Sequence, residues 1–153
     1  CSACYALKGN YTRYKNIKIA QYRRLAAIKL EGWTRAMAAQ ILRQKYFRWH
    51  DAGDVQDLDH LNKIYQVCEL TPEVKHWMPT REAWIKKHLN RKPANLVIRF
   101  SPPMIGQRND SWPNSSMVVE TGATCPAPAQ NNSCGSCRQC WDPEIKVVSY
   151  GKH

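Results

Sequence analysis

Short apolar segments alternate with helical segments between residues 46 and 100, and this alternation constrains the fold more strongly than any other feature of the sequence. The apolar segments, each followed by polar turn residues, are 46–49, 74–78 and 96–100. Helical periodicity fills the intervals at about 58–70 and 81–89, and Asp57 is placed to cap the first of these helices. Strand, turn and helix in repeated order predict a parallel α/β sheet.

The rest of the chain extends this sheet in both directions. The predicted segments are a loop at 1–15, helices at 16–31 and beyond Gly32, and strands at 117–120 and 145–150. A loop rich in Gly, Pro, Asn and Ser separates the last two strands at 122–143. The 153 residues are typical of a single domain. We therefore predict a single α/β domain over 1–153, with a parallel sheet and a cysteine-rich, metal-binding C-terminal loop.

Seven cysteines are spaced for metal binding rather than for a disulfide framework. Cys1 and Cys4 form one Cys-x2-Cys pair, and the C-terminal set is Cys125, Cys134, Cys137 and Cys140. Two residues between cysteines let successive thiolates turn toward one metal, whereas such close neighbours are seldom bridged to each other. The seventh cysteine, Cys68, lies in the apolar stripe of the helix near 58–70, and we expect it to be a core thiol.

The other six thiols are compatible with two kinds of metal site. A Cys-x2-Cys-x2-Cys run with a fourth cysteine farther away is more typical of a [4Fe–4S] cluster, whereas zinc ribbons present two separated Cys-x2-Cys pairs. The spacing therefore favours the cluster, with a Cys4 zinc site as the alternative. Such cysteine usage indicates an intracellular protein, and we expect it in the cytoplasm. The candidate ligands are Cys1, Cys4, Cys125, Cys134, Cys137 and Cys140.

Positive charge is concentrated in the first third of the chain, whose total formal net charge is +11. Residues 1–50 contain 11 Lys or Arg and one acid, a net +10, and this leaves +1 for residues 51–153. Basic residues interleaved with aromatic ones predict contact with single-stranded DNA or RNA, through phosphate neutralisation and base stacking. A solvated helix face is the alternative. The tyrosines among these bases are Tyr5, Tyr11, Tyr14 and Tyr22.

Polar side chains follow the carboxyl end of each internal strand. They are His50, Asp51 and Asp54 after the first strand, Thr80 and Arg81 after the second, and Ser101 after the third. In parallel α/β sheets these positions share one rim, where active sites are built. Capping and turn formation are the alternative role for such residues. The candidate catalytic residues are His50, Asp51, Asp54, Arg81 and Ser101.

Several motifs resemble those of a phage-borne family known as gene product 88, in the same order along the chain. They are the segments Cys1-Ser2-Ala3-Cys4-Tyr5-Ala6, Phe47-Arg48-Trp49-His50-Asp51-Ala52-Gly53-Asp54, Pro79-Thr80-Arg81 and Cys134-Gly135-Ser136-Cys137-Arg138-Gln139-Cys140. This resemblance implies similarity to radical S-adenosylmethionine enzymes, with N-terminal cysteines like their cluster loop and α/β units like part of their barrel. The full six-unit barrel of those enzymes needs more than 153 residues, so the resemblance implies a partial parallel (β/α) barrel-like sheet. By resemblance, S-adenosylmethionine is a further candidate cofactor.

Three functions are expected from these features. The first is a phage-type iron–sulfur protein of the bacterial cytoplasm, whose N- and C-terminal cysteines hold one [4Fe–4S] cluster for redox or radical-type chemistry. The second is a nucleic-acid-binding module with a structural zinc or iron–sulfur site. The third is a radical S-adenosylmethionine enzyme proper. No apolar run approaches the roughly 20 residues that a bilayer span needs, so we expect no membrane partner.

Overall fold

The chain folds as one sheet with helices, and the structure, a computed structural model, describes residues 10–152. The helices are α1 (Asn10–Arg13), α2 (Lys15–Ala27), α3 (Trp33–Ile41) and α4 (Leu58–Leu70). The strands are β1 (Tyr46–Arg48), β2 (Lys75–Thr80), β3 (Leu96–Phe100), β4 (Ser115–Val119) and β5 (Val147–Gly151). Short 3₁₀ helices lie at Ala83–Arg91, Ala127–Gln130 and Gln139–Trp141.

The five strands form one parallel sheet in chain order, β1-β2-β3-β4-β5. β2 and β3 pair over five residues, from His76 opposite Leu96 to Thr80 opposite Phe100. β4 and β5 also pair over five residues, whereas β3 and β4 pair only at Phe100 and Ser115. The sheet curls into half of a barrel, and the predicted parallel α/β architecture is confirmed.

Local sequence signals set the bounds of α4. The helix spans the predicted residues, and Asp57 caps it by accepting a hydrogen bond at Oδ1 from the His60 N–H at 2.8 Å. Its other end is Thr71, which precedes Pro72, and a residue before proline avoids the helical conformation. Both ends of this helix are therefore determined by residues that adjoin it.

Some boundaries differ from the prediction. The segment expected as a helix at 81–89 is a 3₁₀ helix at Ala83–Arg91, where only Ile85 is buried, so tertiary packing does little to impose an α-helix. β4 begins two residues before the predicted 117, because the sheet buries the polar residues Ser115 and Ser116. The predicted loop at 1–15 is wrong for residues 10–13 and 15, which are helical, and its first nine residues lie outside the described chain.

The two faces of the sheet bury different side chains. α3 and α4 cover one face, which we call the core face, where Leu61 of α4 packs in the same cluster as Met78 of β2. On the opposite face, which we call the recess face, Trp77 and Val148 pack against Cys140 of the C-terminal loop. Trp77 and Met78 are adjacent in β2 and point to opposite faces, as strand alternation requires.

α2 packs little against the rest of the described chain. None of its 13 residues is buried within residues 10–152, whereas α4, of the same length, buries six. α2 is therefore a surface helix. Across residues 10–152, no helix combines the length and the apolarity that crossing a membrane requires.

Candidate metal centre and carboxyl rim

Four of the seven cysteines surround one recess on the recess face. Part of this recess is open to solvent. None of these four thiols is bonded to another cysteine of the described chain. The C-terminal loop thus places four free thiols around one recess. The lining residues are Cys125, Cys134, Cys137 and Cys140, with Pro126, Ala127, Gln139, Trp141 and Val148.

Backbone hydrogen bonds hold the cysteines of this loop in place. The Cys125 N–H donates to the Ser149 carbonyl of β5 at 2.9 Å, and the Cys137 N–H donates to the Cys134 carbonyl at 2.9 Å. The second contact closes the tight turn that Cys-x2-Cys spacing allows. Gly135 in this turn has a φ of +51°, and a Cβ there would lie 2.6 Å from a neighbouring side-chain oxygen. The positive φ in the turn between the two thiols therefore favours glycine.

Trp141 forms one wall of the recess and ties the loop to the sheet. Its indole N–H donates to the Phe47 carbonyl of β1 at 3.0 Å. Its ring meets those of Tyr46 and Trp77 edge to face, with centroids 5.5 and 5.4 Å away. The Arg138 guanidinium lies 4.7 Å from the centroid of the Tyr46 ring. Aromatic and cation–π contacts therefore fix the loop against β1 and β2.

Cys140 is the most buried of the four thiols. The Tyr150 hydroxyl lies 3.1 Å from its Sγ, within hydrogen-bond distance. Burial raises the pKa of the Cys140 thiol, while the hydrogen bond with Tyr150 and the positive charge of Arg99 act in the opposite direction. Burial is also the main cause of the raised pKa of Tyr150. Two groups that would stabilise a thiolate at Cys140 are therefore already in position.

The donor set fits a metal that prefers sulfur. Among residues 10–152, four thiols and no histidine or carboxylate line the recess, a set typical of zinc or iron–sulfur sites rather than of magnesium or calcium. A single zinc ion with Zn–S bonds of about 2.3 Å would need its sulfurs roughly 3.8 Å apart. No three His, Cys, Asp or Glu side chains of residues 10–152 are grouped to hold one ion.

The other three cysteines have different positions in the chain. Cys68 is fully buried on α4, and burial raises the pKa of its thiol to about 12, so the predicted core thiol is confirmed. Cys1 and Cys4, which we predict as metal ligands, lie outside the described residues. Their part in metal binding stays a prediction.

Asp54 connects the first two strands at the carboxyl rim of the sheet. Its Oδ1 accepts hydrogen bonds from the Val55 N–H at 2.8 Å and from the Thr80 hydroxyl at 2.7 Å. Its Oδ2 accepts one from the Arg81 N–H at 2.7 Å. The Ser101 N–H in turn donates to the Thr80 carbonyl at 2.8 Å. The residues that follow three consecutive strands therefore meet at one rim, where Asp54 forms the contacts of a turn-stabilising carboxylate.

His50 and Asp51 have contacts other than those described for Asp54. His50 has a φ of +54°, and its buried Nε2 has no hydrogen-bond partner within the described chain. Its ring lies near those of Trp49 and His60, and burial lowers the pKa of His50. Asp51 is exposed and accepts a hydrogen bond from the Tyr11 hydroxyl. A non-glycine residue with positive φ is a strained position of the kind found at functional sites.

The structure does not bring the rim and the recess together. The described lining of the recess includes none of the candidate catalytic residues. Those residues are His50, Asp51, Asp54, Arg81 and Ser101. The rim and the thiols are thus two separate features, and a catalytic role for the rim stays a prediction.

Arg99 and Tyr150 are site residues that the sequence analysis missed. Arg99 is fully buried in β3, and its guanidinium donates to the Cys140 carbonyl at 3.0 Å. A signal for Arg99 was present, because a charged residue inside the apolar run 96–100 must find buried acceptors. No comparable signal places Tyr150 beside Cys140, since that contact depends on the path of an irregular loop.

Comparison with known proteins gives a family match. The family model described as gene product 88 matches residues 1–105, and this is consistent with a phage protein. The matched range includes Cys1, Cys4 and the rim residues at 50–54, and it ends before the cysteine-lined recess. No curated protein and no solved structure matches the chain.

Proposed function

The chain belongs to the gene product 88 family, and we propose that it is a redox-active iron–sulfur protein whose C-terminal loop binds a [4Fe–4S] cluster. The main observation in support of this proposal is that four thiols line one recess, although the first and last of them are 15 positions apart in the sequence. One loop thereby supplies the four thiolates that such a cluster takes. The proposed ligands are Cys125, Cys134, Cys137 and Cys140.

Cysteine spacing favours a cluster over zinc. A Cys-x2-Cys-x2-Cys run with a more distant fourth cysteine is typical of cluster loops. Zinc on the same four sulfurs is the alternative that the experiment below distinguishes.

The surrounding residues would support a cluster in the recess, which supplies one-electron transfer when it is bound. Trp141 and Val148 line the recess with apolar surface. The Tyr150 hydroxyl is placed to donate a hydrogen bond to the Cys140 sulfur. Hydrogen bonds to ligating sulfurs and exclusion of solvent are the means by which proteins set cluster potentials.

Ligation by four thiolates argues against cleavage of S-adenosylmethionine as the activity. That chemistry needs an iron without a thiolate, to which the cofactor can bind, and the four-cysteine loop leaves no such iron. A radical enzyme would instead need Cys1 and Cys4 as cluster ligands. We therefore propose electron transfer through the C-terminal cluster and expect Cys1 and Cys4 to be dispensable for it.

Anaerobic purification followed by metal and sulfide analysis tests this proposal. The wild-type protein should be brown and contain about four irons and four sulfides per chain. Cys134→Ser and Cys137→Ser should each lose most of that iron, whereas the core variant Cys68→Ala and the double variant Cys1→Ser/Cys4→Ser should retain it. A colourless protein with one zinc per chain, or iron that survives in Cys137→Ser, would contradict the proposal.

The exposure of α2 supports nucleic-acid binding as a second function, compatible with the first. Tyr14 and Tyr22 are 51% and 64% exposed, and Lys18 lies between them at intervals of four residues, on one side of the helix. Residues 10–50 contain ten Lys or Arg and a single acid, Glu31. Exposed tyrosines beside bases can stack on nucleotides while the bases neutralise phosphates.

Binding of single-stranded DNA at increasing salt tests this second function. The logarithm of the affinity should fall with the logarithm of the salt concentration, by about 0.7 for each phosphate neutralised. Lys18→Gln/Arg23→Gln should reduce that slope by about 1.4, whereas Lys86→Gln/Lys87→Gln, an equal loss of exposed charge elsewhere, should leave it unchanged. Undetectable binding, or the same loss in both variants, would exclude α2 as the interface.

A further inference from the structure

Arg99 is a buried cation that forms no ion pair with an acid among the described residues. It lies in β3 with 0% exposure. No ion pair found in residues 10–152 includes it, and its contact with Asp142 is to the backbone carbonyl rather than to the carboxylate. Taking a lone charge out of water is energetically unfavourable. The structure must therefore compensate this guanidinium by other means.

Five backbone carbonyls satisfy its donors. A guanidinium has five N–H groups in a fixed fork, and each of those of Arg99 finds one carbonyl oxygen. Four of the five acceptors belong to the loop segment 139–145, which carries Cys140. The acceptors are the carbonyls of Ser115 at 3.4 Å, Gln139 at 2.8 Å, Cys140 at 3.0 Å, Asp142 at 2.8 Å and Ile145 at 2.7 Å.

These contacts satisfy the hydrogen bonds of Arg99 but leave its charge uncancelled, since carbonyls are neutral dipoles. One of its acceptors belongs to Cys140, whose thiol lines the recess and is influenced by the Arg99 charge. A metal centre ligated by four thiolates carries a net negative charge. We infer that Arg99 is a positioning residue that fixes the segment of Cys140 and supplies the counter-charge for an anionic metal–thiolate group in the recess. The inference rests on the proposed function and extends it to a residue that touches no metal.

A purely structural link would not need this charge. Apolar side chains could join β3 to the loop without the desolvation cost of an ion, and replacing buried ions by apolar residues is often neutral or stabilising. A cation at this position is useful when an anion binds next to it. Positive charge near a cluster also makes it easier to reduce, so Arg99 should raise the midpoint potential.

Metal release and midpoint potential of wild type, Arg99→Met and Arg99→Lys test the inference. Arg48→Met is the matched control, because Arg48 lies over the ring of Trp77, 5.0 Å from its centroid, on the recess face. Arg99→Met should release iron to a chelator about 10- to 100-fold faster than wild type, and its remaining cluster should have a more negative potential. Arg99→Lys should keep the potential but release iron faster, because it retains the charge and loses the fork. Arg48→Met should match wild type in release.

The outcomes separate this inference from the proposed function. Wild-type release and wild-type potential in Arg99→Met overturn the inference and leave the cluster proposal intact. A wild type that holds zinc instead of iron overturns the cluster proposal, and the release rate of zinc from the same variants then tests Arg99. A wild type without any metal overturns both. If Arg99→Met does not fold, release from Arg99→Lys at the wild-type rate overturns the positioning role.

Discussion

The two faces of the sheet are built on different principles. On the core face, apolar side chains from α3, α4 and the strands fill the space between them, as Ile64 and Ile98 do with full burial. On the recess face, an irregular loop is held by the buried Arg99 and the ring of Trp141, and its four thiols line a recess. Side chains of the protein fill the core face, whereas those of the recess face surround a recess.

The core face therefore stabilises the fold, whereas the recess face positions the thiols. Apolar burial is the dominant favourable term in folding, and the core face supplies most of it here. The recess face instead relies on directed contacts to backbone carbonyls, which position the thiols but add less apolar area. We therefore expect substitutions on the core face to affect stability with or without metal, and those at the recess to matter mainly when metal is bound.

The largest effect is expected from truncation on the core face. Ile98→Ala should lower the free energy of unfolding by about 2–5 kcal/mol, because it removes buried methyl groups and leaves a cavity. The loss should be the same for metal-free and metal-loaded protein in urea denaturation. Leu70→Ala, at a site 55% exposed, is the control and should change little. If the stability loss in Ile98→Ala disappeared on metal loading, the proposed difference between the two faces would be contradicted.

The second-largest effect is expected at low pH, which should destabilise the core face. Burial lowers the pKa of His60 and of His76 to about 4, so the unfolded chain binds protons that the folded chain does not. Stability is then complete above pH 6.5 and falls as the pH drops toward 4, by on the order of 2 kcal/mol per histidine. Urea midpoints between pH 7 and 4 measure this, and His76→Gln should flatten the profile. A wild-type profile with no decline over that range would contradict it.

A substitution at the carboxyl rim, like one on the core face, should reduce stability by the same amount with and without metal. Asp54→Asn replaces the oxygen that accepts from the Arg81 N–H with a donor and should cost about 1–2 kcal/mol. Thermal denaturation before and after metal loading should show the same loss, with exposed Glu144→Gln as the control. If the variant instead altered metal content, the rim and the recess would be coupled.

The smallest effect is expected at an exposed thiol of the recess face. Cys134→Ser should change the stability of the metal-free protein by less than about 0.5 kcal/mol, since the side chain is exposed. The same variant should lose the stabilisation that metal gives the wild type. Chelator-treated and metal-loaded samples of both proteins, melted side by side, measure the two quantities. A large loss in the metal-free variant would mean that the loop folds through its thiols alone.

The features that were predictable from the sequence are those determined by local patterns. β3 and α4 match their predicted bounds, because strand composition, helical periodicity and the cap at Asp57 lie within or beside the segments. The meeting of Asp54 with Thr80 follows from parallel strand order. The grouping of Cys125 with Cys140 depends on a loop without periodicity, so spacing indicated a metal site but not which thiols share one recess.

Arg99 shows a second limit of the sequence. Its acceptors are backbone carbonyls, which every residue carries, and no pattern of side chains can therefore indicate them. The 3₁₀ helix at Ala83–Arg91 shows a third limit, since its sequence fits an α-helix and only the sparse burial of its residues explains the tighter form. In each case the missing information lies in tertiary contacts rather than in the local sequence.

X-ray absorption at the iron and zinc edges of anaerobically purified protein tests most directly whether the recess holds a thiolate-ligated cluster. The expected result is iron with sulfur as its only neighbouring ligand and with iron–iron scattering, a signal that Cys137→Ser abolishes and Cys68→Ala retains. Zinc surrounded by four sulfurs at about 2.3 Å would contradict the cluster. A wild-type protein without metal at either edge would contradict the metal centre itself.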